Sequence, residues 1–270
     1  MSDKFCSNSQ MRGTHVVVTG ASSGIGRATA IEMAMQGARH LLIHYCSNEV
    51  GAAETAEEVE RFGATVTICQ ADLSLQEDRQ NLVEAAFGQL SEVNAWVNNA
   101  GVDVLTGEIA NQGFDLKLQR LLSVDLAGTI SLSRLVVARW LEEQAVDAIP
   151  AMTFIGWDQA DQGMEGDAGQ MFGPVKAAVM AYAKNLAQSV APCVRVNAVA
   201  PGWIKTAWGT EVTGYWSDRA IAQSLMGRWG TAQDVARAIC YLSSPANHFI
   251  TGQVLEVNGG WNRRFDQPKS

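Results

Sequence analysis

The residues best suited to chemistry fall in three short stretches. The first is Thr19-Gly20-Ala21-Ser22-Ser23-Gly24-Ile25-Gly26, which follows directly on the apolar run Thr14–Thr19. Glycines at this spacing let the backbone turn tightly and approach a pyrophosphate. A helix starting there adds free N–H groups and a positive dipole end. Tight turns without a ligand use glycine too, but a cluster between a first strand and a first helix favours the nucleotide reading. The second stretch, His44-Tyr45-Cys46-Ser47-Asn48, closes the second strand with no acid before Glu49. A carboxylate there would bind the ribose of NAD and repel a 2′-phosphate. Its absence leans towards NADP over NAD, with Ser47 and Asn48 as phosphate donors, although the same residues could merely shape a loop. The third, Trp157–Gly169, carries Asp158, Asp161, Glu165 and Asp167. One of these, Asp158 first, could serve as a general acid or base, but a solvated acidic loop is the stronger reading.

Such groups need a scaffold, and the hydrophobic pattern supplies one. Strand candidates at Thr14–Thr19, His40–Tyr45, Thr65–Gln70, Ala95–Val97, Ala151–Ile155, Val194–Val199 and Val254–Val257 are nearly all apolar. Helical stretches lie between them at Arg27–Gln36, Gly51–Phe62, 79–90, 113–144, 174–190 and 232–243. Apolar strands alternating with helices predict an α/β fold with a doubly wound parallel sheet covered on both faces. With no repeat or linker in the 270 residues, one domain over 13–270 is expected, preceded by a flexible tail at 1–12.

Bulk properties narrow the function classes. The net charge is −8 and no Lys/Arg run forms a basic face, which argues against nucleic acid as a partner. No apolar run approaches the ~20 residues of a membrane helix, and the first twelve residues lack a signal-peptide pattern. Cys6, Cys46, Cys69, Cys193 and Cys240 are odd in number and scattered, and the four histidines form no ligand cluster. A reduced, soluble, cytoplasmic protein without a metal site or a membrane is expected.

The glycine stretch has the TGxxxGxG form of the short-chain dehydrogenase/reductase family, and the resemblance runs from Gly13 to Trp261. Ala71-Asp72-Leu73 resembles the family's adenine-side Asp segment, and Asn98-Asn99-Ala100-Gly101 its NNAG. Arg195–Gly202 matches RVNAVAPG, with Ile204 and Thr206 at the nicotinamide contacts, and Thr251-Gly252-Gln253 through Gly259-Gly260 matches the C-terminal signature. The similarity is greatest to the 3-oxoacyl-carrier-protein reductase and sugar/steroid dehydrogenase branch. It implies a Rossmann domain holding NADP or NAD through Gly20, Ser22, Ser23, Gly24, Ile25, Gly26, Ser47, Asn48, Asp72, Leu73, Asn99, Ala100, Gly101, Lys176, Pro201, Gly202, Ile204 and Thr206. It also implies a small-molecule substrate and a homotetramer or homodimer packed through helices near 113–144 and 174–190. Leu121, Leu122, Leu126 and Ile130 fit such an interface or an ordinary core face.

Family chemistry uses an Asn, Ser, Tyr and Lys relay, and this chain departs at three of the four positions. Phe172-Gly173-Pro174-Val175-Lys176-Ala177-Ala178 aligns on YGxxKAA, so Lys176 is kept and Phe172 replaces the tyrosine. Trp157 is the nearest counterpart of the serine, with Asp158 and Gln159 as alternatives, and Asp125 replaces the asparagine. Phe cannot exchange a proton, so loss of a general acid costs ~10²–10⁴ in rate. Lys176 suits a cofactor ligand better than a base, because a nearby Asp125 favours its charged form. Of the other tyrosines, Tyr215 alone could swing in. Trp203, Trp208, Trp216 and Trp229 fall in or near the family's substrate lid, as an aromatic pocket or as packing. The implied functions are an NAD(P)-dependent oxidoreductase on a carbonyl or hydroxyl, weak or atypical in activity; a catalytically inactive dinucleotide-binding regulator or partner subunit; and a non-redox lyase or isomerase.

Overall fold

The computed structural model describes residues 9–143, 148–206, 209, 212 and 214–263. Seven parallel strands form one sheet: β1 His15–Val18, β2 His40–Tyr45, β3 Thr65–Gln70, β4 Ala95–Asn98, β5 Ala151–Ile155, β6 Arg195–Pro201 and β9 Val254–Val257. Their order is β3-β2-β1-β4-β5-β6-β9, with the chain reversing its direction of travel between β1 and β4. A separate two-strand ladder pairs β7 Ile204–Lys205 with β8 Gly230–Thr231.

Alternate residues of each strand face opposite layers, as a pleated sheet requires. Val17, Leu42, Trp96, Met152 and Phe154 pack against α3 Gln76–Gln89, α5 Thr129–Glu143 and α7 Gly166–Val190. Val16, Val18, Leu41, Ile43, Ala95 and Val97 pack against α1 Gly24–Met35, α2 Glu49–Glu60 and, after a short α8 Tyr215–Gln223, α9 Ala232–Ser243. Central strands buried on both sides explain the unbroken apolar runs. The fold is a single-domain Rossmann α/β structure, as the alternation predicts.

Four expectations change in detail. The tail is not loose throughout: Met11 is fully buried, its N–H donates to the Gln36 carbonyl at 3.0 Å, and the Ser244 hydroxyl donates to the Gln10 carbonyl. Residues 1–8 lie outside the described residues. The helix expected over 113–144 is α4 Phe114–Leu121, a π-helical stretch Leu122–Gly128, and α5. By length and composition Phe114–Glu143 could cross a membrane, contrary to the reading that no run comes near. It is a core element here, with Leu121, Leu132 and Val136 fully buried against the domain. The helix expected at 174 begins at Gly166, so Pro174 sits inside α7 and most of the acidic loop is helical: a short α6 spans Gln159–Gln162.

Candidate functional site

A cleft of about 750 Å³ opens at the carboxyl ends of the strands, where the strand order reverses. At one end lies the glycine loop. Gly20 takes φ +63°, and a Cβ there would stand 2.8 Å from the Ala100 Cα, so the β1 and β4 loops meet at a distance only glycine allows. Thr19 Oγ accepts from the backbone N–H groups of Asn99 and Ala100, and the Asn99 amide donates to the Thr19 and Gly20 carbonyls at 2.9 and 3.0 Å. Asn99 and Gly26 thus brace the loop, while Ser22, Ser23, Gly24 and Ile25 face the cleft.

The start of α1 fits an anion. Its N-cap, Ser23, makes no side-chain capping bond and its first turn holds no acid. The first N–H groups are therefore left for a ligand, and the dipole end is unopposed. The helix packed alongside shows the contrast: Thr231 and Asp234 close a complete capping box on α9. Thr206 stands across from Gly24.

His44 is a residue that the sequence reading passed over. Its Nδ1 accepts from the Gly20 N–H at 3.0 Å, which leaves Nε2 to donate to the Ala71 carbonyl at 3.0 Å. A neutral imidazole does both at once, and burial pushes its pKa down to about 4. It joins the glycine loop to the segment after β3, where Asp72 and Leu73 line the cleft. Asp72 is fixed by bonds from the Ser74 N–H and hydroxyl at 2.8 and 2.7 Å. Ser47 is exposed at the rim. Asn48 lines the cleft too, but its side-chain oxygen caps α2 by accepting from the Gly51 N–H at 3.0 Å. Its first task is therefore structural.

At the far end, Lys176 Nζ lies 3.0 Å from Asp125 Oδ2, with side-chain exposures of 15% and 2%. Asp125 also accepts from the Val102 N–H at 2.8 Å. Gly101 is pressed against this carboxylate: a Cβ would stand 2.7 Å from Asp125 Oδ2. Phe172, one turn before Lys176 on α7, lines the cleft, and Trp157 packs edge-on against it with centroids 6.3 Å apart. At this end the groups that can exchange a proton are the Asp125–Lys176 pair and Asp103, which lines the cleft next to Val102.

Other expected residues lie elsewhere. Pro201, Gly202 and Ile204 are beside the cleft rather than on it. Asp158 is neither a solvated loop acid nor a cleft residue. It is 4% exposed, packed behind Gly202 and beside Asn258, and its backbone N–H donates to the Pro201 carbonyl. Burial and the nearby Glu256 charge push its carboxyl up to about 7, against bonding to Asn258 and the backbone. Asp161, Glu165 and Asp167 are exposed, as a solvated acidic segment would be. Tyr215 is 64% exposed and donates to Glu165. Trp203 packs against Trp216 and Trp229, with centroids 6.1 and 5.8 Å away, so packing rather than a pocket describes these rings. Trp208 lies outside the described residues. Leu121 is core, whereas Leu122 is 41% exposed.

Comparison with known proteins agrees with this fold. A family model described as enoyl-(acyl carrier protein) reductase matches residues 20–262. The chain is 32% identical to the 3beta-hydroxysteroid dehydrogenase 1 of Eggerthella lenta, over 93% of this chain and 94% of the relative. It is 28% identical to the 3-oxoacyl-[acyl-carrier-protein] reductase of Staphylococcus epidermidis, over 90% and 97%. The crystal structure of a short chain dehydrogenase from Burkholderia cenocepacia in complex with NADP is similar in fold, with TM-score 0.81 and 24% identity over 93% and 98% of the two chains.

Proposed function

This chain belongs to the short-chain dehydrogenase/reductase family of oxidoreductases, and from that premise we propose an NAD(P)-dependent oxidoreductase of a small carbonyl or hydroxyl substrate, weak in turnover and inclined to NADP. The observation that carries the proposal is the single cleft running from the uncapped start of α1 to Lys176. The N–H groups of that helix start would hold the phosphates, Asp72 the adenine side, and Lys176 the nicotinamide ribose through its ammonium donors. The dinucleotide, when bound, supplies or takes up the hydride. Asp125 keeps Lys176 in place by pairing with it from below. Phe172 and Trp157 pack on each other at the reacting end and offer no proton to a developing alkoxide, so slow turnover is expected.

That same aromatic pair favours a second reading, a dinucleotide-binding regulator or partner subunit without turnover. The lyase or isomerase reading rested on Asp158 and Asp125; Asp158 stands behind the wall of the cleft and Asp125 is held by Lys176. Calorimetric titration with NADPH and NADH, followed by hydride turnover on ketones and alcohols, tests the proposal. Binding of NADPH ahead of NADH with slow turnover is expected. Binding with complete silence on every substrate would leave the regulator, and no binding of either dinucleotide would remove both readings.

We further propose assembly as a homodimer or homotetramer through the outer face of α4 and α5. Leu116, Leu122 and Leu141, all more than 40% exposed, support that face. Light scattering is expected to give a mass of two or four chains, and a monomer would contradict it.

A further inference from the structure

The adenine end of the cleft holds a cation that the glycine-loop logic does not use. Arg120, in the last turn of α4, lines the cleft opposite Cys46, Ser47 and Asp72. Its charge is felt at the Cys46 thiol, where it opposes the upward push of burial and of the Asp72 and Asp78 charges. The residue is exposed, and no acid comes within ion-pair distance of its guanidinium among the described residues. An unpaired guanidinium facing a nucleotide cleft is a phosphate or ring-stacking group.

The local backbone explains how it comes to face that way. In an α-helix, residues 120 and 125 would point about 140° apart. The π-helical stretch Leu122–Gly128 starts two residues after Arg120, and its i→i+5 bonding lowers the rotation per residue and so narrows that angle. Arg120, Val124 and Asp125 accordingly all line the cleft from one helical wall. Arg120 stands at the adenine end and Asp125 at the reacting end. Across from Arg120, the second strand closes on Cys46 and Ser47 where a ribose-binding carboxylate would repel a phosphate.

We infer that Arg120 is the residue that selects the 2′-phosphate of NADP, reaching it across the cleft from α4 rather than from the loop after β2. The inference rests on the dinucleotide reading of the cleft and deepens it. Ser47 would add a hydroxyl to the same phosphate, while Asn48 stays with its cap on Gly51. A charge-assisted contact of this kind carries roughly 10–100-fold in affinity.

The test compares wild type with Arg120→Ala by titration calorimetry, using NADPH and NADH as probes. The residue is exposed and unpaired, so the variant is expected to melt with the wild type. The inference expects NADPH to weaken about 10–100-fold while NADH is nearly unmoved, and the salt dependence of NADPH binding to fall in the variant. Equal weakening of both dinucleotides would overturn it, since that is the mark of stacking on adenine. Unchanged affinities would overturn it as well. Wild type binding neither dinucleotide would instead remove the cofactor reading beneath it, an outcome visible before any variant is made.

Discussion

The variant carrying Phe172→Tyr, Asp125→Asn and Trp157→Ser together is expected to reduce ketones with NADPH about 10²–10⁴-fold faster than wild type. Each change answers one feature of the reacting end. A hydroxyl on residue 172 supplies the proton donor that Phe172 lacks, one helical turn from Lys176. Serine at 157 removes the ring packed on Phe172 and adds a second donor aimed at the substrate oxygen, a group worth ~10²–10³ by itself. The gains act on one transition state and do not simply multiply.

Phe172→Tyr alone is expected to give only part of this gain, for an electrostatic reason. A tyrosine yields its proton readily beside an uncompensated ammonium, but Lys176 is paired with Asp125 at 3.0 Å. Asparagine at 125 frees the charge. Lys176 keeps some solvent contact, at 15% exposure, so the lost pair costs less than the ~3–5 kcal/mol of a fully buried one. Single-turnover kinetics on all three singles and the triple variant would read the order of effects. A triple variant that binds NADPH like wild type yet turns over no faster would show that more than proton donors is missing.

The two ends of the site were legible to different degrees. The shape of the glycine loop could be read directly, because glycine spacing reports backbone conformation. Gly20, Gly24 and their partner Asn99 fall where the pattern puts them. His44 was missed because one histidine in an apolar strand resembles a tolerated core residue; only the fold brings Gly20 and Ala71 to its two nitrogens. Arg120 was hidden by the same limit, since ordinary helical periodicity turns it away from Asp125 and a π-turn leaves no plain sequence signal. Asp158 failed in the other direction. Its neighbours Asp161, Glu165 and Asp167 suggest an open loop, but the chain enters α6 with Asp158 still under Pro201 and Gly202. A charge run says nothing about which member is buried.

That burial makes Asp158→Asn the variant with the largest expected effect on stability. With the Asp158 pKa raised from 3.8 to about 7, the folded state holds a proton that the unfolded state releases between those values. Below about pH 4 the group costs nothing; its penalty grows by about 1.4 kcal/mol per pH unit and levels off near pH 7, at about 4 kcal/mol. His44 acts in the opposite sense over nearly the same range. Its pKa is lowered from 6.5 to about 4, so its contribution is complete above pH 6.5 and is lost as pH falls towards 4. The two slopes nearly cancel, and from these groups wild type should show little change of stability between pH 4.5 and 6.5. Asparagine keeps the shape and cannot ionise, so the variant should be stabilised at pH 7.5 by a few kcal/mol. It should also expose the His44 slope, losing about 3 kcal/mol as pH falls from 6.5 to 4. Urea midpoints at four pH values would decide it. Parallel curves for the two proteins would mean that Asp158 stays ionised in the fold, with water or a cation reaching the space behind Gly202.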